Sequence, residues 1–334
     1  MQRQCFALEA SKKRYRLADS ERSMVIKMSK IAFIFPGQGS QYVGMGKDFY
    51  DTYEEAKNVY QIAGEVSGLD MEALCFTENE KIHITEYTQI AMLATEVAIL
   101  KVLESKGVQA DITAGLSLGE YGALAAADVM DLKDLFYIIR KRGIFMQEAY
   151  PIGGAMTAVL GLDSDKIEQI CQQTEGIVTI ANYNCPGQIV ITGEETAVLA
   201  AAQALSEAGA KRCVPLKVSG PFHSELLKGA GEKLEKELEG ITLRNPSIPY
   251  ISNVGACEVT EAAPIKTLLK NQVSNSVCWQ QTIEKMIAEG VDTFIEIGPG
   301  KTLSGFMKKI NKDVKCMNID KLADLDKVLE TISA

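Results

Sequence analysis

The spacing of apolar positions changes repeatedly along the chain, and each change predicts a new helix or strand. Short continuous apolar runs predict buried strands at Ile31–Phe35, at 112–114 and at Thr293–Ile297. Between them, apolar residues recur every three or four positions and predict helices, for example over 85–106 and Leu132–Ala149. Strands that alternate with helices in this way predict an α/β fold with a mainly parallel sheet.

The pattern between residues 151 and 218 is different and predicts a second, smaller unit. It contains strands at 155–160, 177–181, 188–191 and 212–218, with helices at 165–173 and 195–208. This β-α-β-β-α-β order is typical of a ferredoxin-like subdomain. We expect it to be inserted into a large hydrolase-like domain formed by 29–150 and 219–334. The segment 182–187 predicts a turn between its central strands, whose amides either contact a ligand or serve ordinary turn geometry.

Composition narrows the class of protein. Hydrophobic residues at 46% and charged residues at 24% are ordinary for a soluble globular chain, and no apolar run is long enough to cross a membrane. A net charge of −9 argues against general nucleic-acid binding. The eight cysteines are scattered without a C-x-x-C pair, which predicts a reducing cytoplasm and neither a disulfide framework nor a zinc site. Residues 1–28 are charged and aperiodic, and we expect a disordered extension there.

The strongest chemical signal is Gly115-x-Ser117-x-Gly119, between a predicted strand and a predicted helix. This arrangement is a nucleophile elbow, in which a sharp turn exposes the serine hydroxyl at a helix N-terminus. Unpaired amides of the first helical turn can then face an oxyanion. A chance Gly-x-Ser-x-Gly is the alternative, and the flanking strand and helix favour a nucleophile.

A serine nucleophile needs a base, and the chain has only two histidines. His223 follows a glycine-proline turn and precedes a helix, whose positive end would keep the imidazole neutral. His83 lies in a charged stretch without such a turn, so we favour His223 as the base. Arg142 falls on the apolar line of the helix Leu132–Ala149. A buried guanidinium needs either an internal carboxylate or a substrate anion, and both alternatives stay open.

Two glycine-rich loops superficially suggest nucleotide sites, and the spacing rejects both. The loop after Ile31–Phe35 has Tyr42 where a dinucleotide fingerprint needs its third glycine. The Gly-Lys-Thr at 300–302 has Ile295 where a P-loop needs its first glycine. Gln38, flanked by glycines beyond a strand end, still predicts backbone close to a ligand or a plain tight turn.

From about Ile31 onward the chain resembles malonyl-CoA:acyl carrier protein transacylase of bacterial fatty-acid synthesis. The matching runs are Phe-Pro-Gly-Gln-Gly-Ser-Gln at 35–41, Gly-Leu-Ser-Leu-Gly-Glu-Tyr at 115–121, Lys-Arg-Gly at 141–143, Met-Gln-Glu at 146–148, Asn-x-Asn-x-Pro-Gly-Gln at 182–188, Phe-His at 222–223, Gln272 before Trp279, and Glu-Ile-Gly-Pro-Gly at 296–300. Many members have histidine at the position of Leu116, and residues 1–28 have no counterpart.

The resemblance implies an acyl-carrier-protein S-malonyltransferase with a Ser117–His223 dyad. The main-chain carbonyl of Gln272 would orient the histidine, and backbone amides of Gln38 and Leu118 would form the oxyanion hole. Arg142 would hold the malonate carboxylate. Asn184 and Gln188 would also bind substrate. The implied substrates are malonyl-CoA and phosphopantetheinylated acyl carrier protein, with no metal or other cofactor and no nucleic-acid or membrane partner.

Three rival functions share some of these features. An esterase or thioesterase would share the elbow but has no need of Arg142, and a non-catalytic scaffold would not need serine, histidine and arginine together. An acyltransferase of polyketide assembly that takes methylmalonyl or another acyl unit differs least from a malonyltransferase. Phe222 favours malonyl over such units only weakly.

Docking of an acidic carrier on this acidic chain requires a local basic patch. The candidate C-terminal basic patch consists of Lys301, Lys308, Lys309, Lys312 and Lys315. An ordinary solvated helix face is the alternative.

Overall fold

The computed structural model describes residues 29–218 and 220–333, so the extension predicted at 1–28 lies outside the described residues. Two sheets organise the described part. The strands of the larger sheet are β1 (Ile31–Phe35), β2 (Ile112–Gly115), β7 (Tyr250–Ile251), β8 (Glu258–Val259), β9 (Thr293–Ile297) and β10 (Lys315–Ile319). Those of the smaller sheet are β3 (Gly154–Leu160), β4 (Val178–Cys185), β5 (Gln188–Glu194) and β6 (Arg212–Pro215).

The larger sheet has the strand order β10–β9–β1–β2–β7–β8. Its first five strands are parallel, and β8 pairs antiparallel with β7. The prediction of a mainly parallel α/β sheet is therefore confirmed. The edge strand β8 was not predicted, because two residues are too few to show a period.

The smaller sheet is antiparallel, with the order β4–β5–β3–β6. The strands β3 and β5, which are the first and third of this unit along the chain, lie in the middle of the sheet. The predicted ferredoxin-like pattern requires this order. The turn predicted over 182–187 is wrong in extent. The strand β4 continues to Cys185, because it stays paired with β5, and only Pro186 and Gly187 form the turn. The exact domain limits remain a prediction.

Helices cover both faces of the larger sheet. Their bounds are α1 (Lys47–Thr52), α2 (Glu54–Ser67), α3 (Met71–Phe76), α4 (Thr85–Ser105), α5 (Glu120–Ala126), α6 (Leu132–Ala149), α7 (Ser164–Gln173), α8 (Glu195–Glu207), α9 (Lys228–Glu239), α10 (Ile265–Gln272), α11 (Trp279–Ala288), α12 (Thr302–Ile310) and α13 (Leu322–Ser333). The helix α6 has the predicted bounds. The helix α1 ends before Tyr53, whose extended backbone (φ −121°) separates it from α2.

The alternation of side chains along β1 explains why the larger sheet separates two apolar clusters. Phe33 and Phe35 enter one apolar cluster, which includes most of α4, while Ala32 and Ile34 enter another with Trp279 of α11. The parallel register places Phe35 beside Gly115. The loops that leave β1 and β2 therefore meet at one edge of the sheet, where α/β proteins usually bind ligands.

Candidate active site

The elbow that follows β2 holds Ser117 in a backbone conformation rare for a side-chain-bearing residue, with φ of 55°. A short 3-10 turn (Ser117–Gly119) joins it to α5. Gly119 is required by packing, because a methyl group there would overlap the carbonyl oxygens of Phe35 and Pro36. The backbone of the elbow thus lies directly against the loop that leaves β1.

Asn253, in the loop after β7, fixes the elbow from its other side. Its Oδ1 accepts a hydrogen bond from the Ser117 amide at 2.6 Å, and its Nδ2 donates to the Gly115 carbonyl at 2.6 Å. Asn253 is buried. One side chain therefore satisfies two backbone groups of the turn and holds Ser117 in its unusual conformation.

His223, the histidine favoured as the base, lies beside the serine. Its Nε2 is 2.7 Å from Ser117 Oγ, and its Nδ1 is 2.9 Å from the main-chain oxygen of Gln272. A carbonyl oxygen only accepts, so Nδ1 carries the ring proton of the neutral imidazole and donates to Gln272. This leaves Nε2 to accept from the serine hydroxyl. The exposed His83 does not line the pocket around Ser117.

The imidazole is kept neutral, although the physical cause differs from the expected one. Burial, and after it the positive charge of Arg142, together lower the pKa of His223 to about 4. Only a 3-10 turn (Glu225–Leu227) and then α9 follow the histidine, so burial and Arg142 replace the helix end as the explanation. A neutral imidazole can act as a base throughout the physiological pH range.

Arg142 points inward from α6 and is almost fully buried, with 1% of its surface exposed. Its Nη1 donates to Gln89 Oε1 at 2.7 Å, and its Nη2 donates to Gln272 Oε1 at 3.0 Å and to Ser117 Oγ at 3.2 Å. Among the residues that the structure describes, no carboxylate forms an ion pair with this guanidinium. The internal salt bridge is therefore absent there, which favours a substrate anion as partner.

A cavity of about 220 Å³ opens over Ser117, His223 and Arg142. Gln38 and Leu118 both line it, together with Ser117. Asn184 also lines it and is buried, and its Oδ1 has no hydrogen-bond partner in the described part of the chain. The structure does not bring Gln188 into this wall. Its Oε1 accepts instead from Lys309 Nζ at 3.0 Å.

Three polar residues of the site were missed in the sequence: Gln89, Glu120 and Asn253. Gln89 lies at the start of the buried apolar run of α4, and Asn253 lies just after β7, but neither position alone indicates which group the side chain contacts. Glu120 is fully buried at the start of α5, and its Oε2 accepts from Gln272 Nε2 at 2.7 Å. Its place in the elbow motif gave no sign of this contact.

The sequence pattern of the family described as acyl transferase domain matches residues 32–324. The chain belongs to the acyl transferase family. This agrees with the elbow, the adjacent histidine and the buried arginine. The resemblance inferred from the motifs is confirmed, and this acyltransferase has a fold and a candidate site that can be compared with those of named relatives.

Similar proteins carry a consistent name. The malonyl CoA-acyl carrier protein transacylase of Bacillus subtilis is 46% identical, over 91% of this chain and 98% of that protein. The crystal structure of the transacylase of that name from Clostridium perfringens is 46% identical with a TM-score of 0.88, over 91% of this acyltransferase and 98% of that chain. A malonyl-transacylase solved in complex with its type II PKS acyl-carrier protein is 40% identical with a TM-score of 0.88, over 91% and 100% of the two chains.

Within residues 29–218 and 220–333, the acyltransferase has no helix that is both long and apolar enough to span a membrane.

Proposed function

We propose that this acyltransferase moves the malonyl group from malonyl-CoA to the phosphopantetheine thiol of acyl carrier protein, through a malonyl ester of Ser117, in fatty-acid biosynthesis. The observation that carries the proposal is the buried guanidinium of Arg142. It lies 3.2 Å from the nucleophilic oxygen and has only neutral hydrogen-bond partners among the described side chains. An acyl group that ends in a carboxylate supplies the missing anion.

The first half-reaction begins at Ser117 Oγ, which attacks the thioester carbonyl carbon of malonyl-CoA. Its proton passes to His223 Nε2, which is already 2.7 Å away. The tetrahedral intermediate then expels the thiolate of coenzyme A, which takes the proton from His223. The product is the malonyl-serine ester and free coenzyme A, and the histidine is neutral again.

The second half-reaction reverses these roles. The carrier's phosphopantetheine thiol gives its proton to His223, and the thiolate attacks the ester carbonyl. Ser117 leaves as an oxyanion and recovers the proton from the histidine. The Gln272 carbonyl holds Nδ1 throughout, so the same ring nitrogen faces serine and both thiols in turn.

The amides of Gln38 and Leu118 are our candidates for the oxyanion hole. Their residues line the cavity next to Ser117, and the loop that carries Gln38 packs against the elbow that carries Leu118. Two converging amides would stabilise the negative charge that develops on the thioester oxygen.

Asn184 is our candidate contact for the pantetheine arm that malonyl-CoA and the carrier share. Its buried Oδ1 has no partner among the described residues and needs a donor, and the arm contains two amide N–H groups. For Gln188 we propose a position at the edge of the entrance, since it touches Lys309 rather than the cavity.

The proposed route uses only side chains and backbone groups of this chain together with its two substrates. We further propose a cytoplasmic location. The described cysteines are all free, as a reducing compartment favours: Cys75, Cys171, Cys185, Cys213, Cys257, Cys278 and Cys316.

The decisive experiment is intact-protein mass spectrometry after mixing with malonyl-CoA and with a panel of other acyl-CoA thioesters. We expect a stable malonyl adduct on Ser117 that is lost when the loaded carrier protein forms. Ser117→Ala should abolish the adduct, while Ser40→Ala is the matched control, because Ser40 is another serine of the same cavity wall. Rapid release of free malonate without an adduct would instead indicate a thioesterase.

A further inference from the structure

The guanidinium of Arg142 is connected to a buried carboxylate through one glutamine side chain. Gln272 Oε1 accepts from Arg142 Nη2 at 3.0 Å, while Gln272 Nε2 donates to Glu120 Oε2 at 2.7 Å and to the Ser117 carbonyl at 2.8 Å. Glu120 Oε2 also accepts from the Asn253 amide at 3.1 Å. The carboxylate therefore contacts two residues that hold the elbow, the histidine and the arginine.

The groups that face Glu120 come from several elements. They are Arg142 of α6, Tyr121 of α5, Tyr250 of β7, Cys257 and the hydrogen-bonding residues Ser252, Asn253 and Gln272. Of these groups only Arg142 carries a positive charge. The other carboxylate oxygen, Glu120 Oε1, is buried without a hydrogen-bond partner in the described part of the chain.

We propose that Glu120 is a positioning residue that, through the side chain of Gln272, balances the charge of Arg142 in the empty pocket and yields this role to the malonyl carboxylate. The inference rests on the proposed function. It explains how Arg142 stays buried in the empty pocket without an anion in direct contact. The balancing carboxylate, Glu120, is separated from the guanidinium by the amide group of Gln272. A direct ion pair would have to be broken for each substrate, at a large cost in free energy.

A bound malonyl group places a second negative charge near Glu120. Burial raises the pKa of Glu120 to about 7 in the empty site, while the hydrogen bonds and Arg142 oppose this rise. A nearby substrate anion favours the protonated acid, so it raises the pKa further. Malonyl-CoA should consequently bind best when Glu120 is protonated. Its affinity is highest below pH 7 and falls as the pH rises through 7.

The test measures binding without chemistry, in a Ser117→Ala background, with malonyl-CoA and acetyl-CoA at pH 6 and pH 8. Glu120→Gln keeps an oxygen acceptor for Gln272 and Asn253 but removes the charge. At pH 8 we expect it to bind malonyl-CoA about tenfold more tightly than the background protein, since two like charges no longer share the site. At pH 6 the two proteins should bind malonyl-CoA alike, and acetyl-CoA should be unaffected at either pH.

The matched control is Glu96→Gln. Glu96 is fully buried like Glu120, and burial raises its pKa well above the ordinary value, but it lies beside Gly122 and Gly298, and its carboxylate has no hydrogen bond to Gln272. This variant should bind malonyl-CoA with the pH dependence of the background protein. An equal gain in both variants would contradict a specific role of Glu120.

A second measurement needs no change at Glu120. Titration calorimetry of Ser117→Ala near pH 7, in two buffers of different ionisation enthalpy, should show net proton uptake with malonyl-CoA relative to acetyl-CoA. The comparison cancels the titration of the coenzyme A phosphates. Equal proton exchange for both ligands would overturn the proposal. The malonyl adduct on Ser117 of the unaltered enzyme tests the proposed function separately. A failure of the proposed function can therefore be distinguished from a failure of the role proposed for Glu120.

Discussion

At the scale of single residues, the site depends on two backbone conformations that side-chain-bearing residues seldom adopt. Ser117 has φ of 55° and His223 has φ of 61°. Each such conformation costs on the order of 1–3 kcal/mol and persists only where the surroundings hold it. Asn253 holds the backbone of Ser117, and the Gln272 carbonyl fixes the imidazole ring of His223. The two partners thus convert strained turns into a fixed Oγ–Nε2 contact.

The low pKa of His223 predicts an unusual pH profile. A neutral fluorophosphonate should label Ser117 of the free enzyme at a nearly constant rate from pH 8 down to about pH 5. The rate should fall as the pH drops through about 4, because only then does the imidazole take up a proton. Circular dichroism at each pH checks that the protein stays folded. A half-maximal rate near 6.5, the ordinary value for histidine, would contradict the assignment.

Arg142→Ala should change selectivity rather than only activity. A charge-assisted hydrogen bond contributes roughly 1.5–3 kcal/mol, and a bidentate pair makes two. The kcat/KM for malonyl-CoA should therefore fall by about two to four orders of magnitude, at about 1.4 kcal/mol per tenfold, while acetyl-CoA is spared or improved.

The matched control for this change is Arg140→Ala. Arg140 lies on the same helix but pairs with Glu86 at 2.9 Å, so the malonyl-to-acetyl ratio should be unchanged in this variant. An equal loss for both thioesters in Arg142→Ala would show that Arg142 stabilises the fold instead of reading the substrate.

The residues that could be predicted from the sequence are those whose local pattern is distinctive. Ser117 is marked by its glycines, His223 by the small number of histidines, and Arg142 by its place on an apolar helix face. Gln89 and Glu120 could not be assigned, because their roles come from partners that lie far away along the chain. Such contacts exist only after α4, α5 and α10 have packed together.

At the scale of the secondary-structure elements, the elbow works because β2, α5 and the loop after β1 touch through their backbones. Gly119→Ala should displace that loop, because its new methyl group meets the carbonyl oxygens of Phe35 and Pro36. We expect a lower melting temperature and loss of Ser117 labelling by the fluorophosphonate. The control is Gly305→Ala in α12, where a methyl group meets open space.

Gly305→Ala should stabilise the protein slightly, since glycine inside a helix costs roughly 0.5–1 kcal/mol relative to alanine. If both variants melted alike and Gly119→Ala remained reactive, the close approach of loop and elbow would not matter for the site.

Most elements were predicted because their apolar period is long enough to read. The exceptions have physical reasons. The strand β4 extends past its predicted end because β5 and a bridge to Val277 continue to pair with it. Propensity at Asn182 and Asn184 favours a turn, but the pairing with β5 and the distant bridge to Val277 override it.

At the scale of the whole molecule, the basic patch predicted for carrier docking shares helix α12 with the wall of the cavity. All five of its lysines are exposed, and most lie on or beside α12. Thr302, Leu303 and Phe306 of the same helix line the cavity. Docking of the carrier on this patch therefore stays a prediction, supported by the helix that the patch shares with the cavity wall.

Charge reversal tests this surface. Lys308→Glu combined with Lys312→Glu should raise the KM for the carrier and leave malonyl labelling of Ser117 unchanged, since electrostatic complementarity mainly affects encounter. Lys57→Glu combined with Lys133→Glu changes the net charge equally at helices α2 and α6, outside the cavity wall. If both double variants raised the KM for the carrier equally, the effect would be one of general charge. That result would contradict docking of the carrier on the basic patch.

The central position of β1 in the larger sheet has a consequence for the order of events during synthesis. Its neighbours are β2 and β9, and β9 is made about 260 residues after β1, near the end of the chain. The smaller sheet, in contrast, comes from one continuous stretch and can assemble as soon as β6 has left the ribosome. The nascent chain must therefore carry β1 with one backbone edge unpaired until β9 has been translated. During this interval the protein is most exposed to aggregation and to chaperone capture.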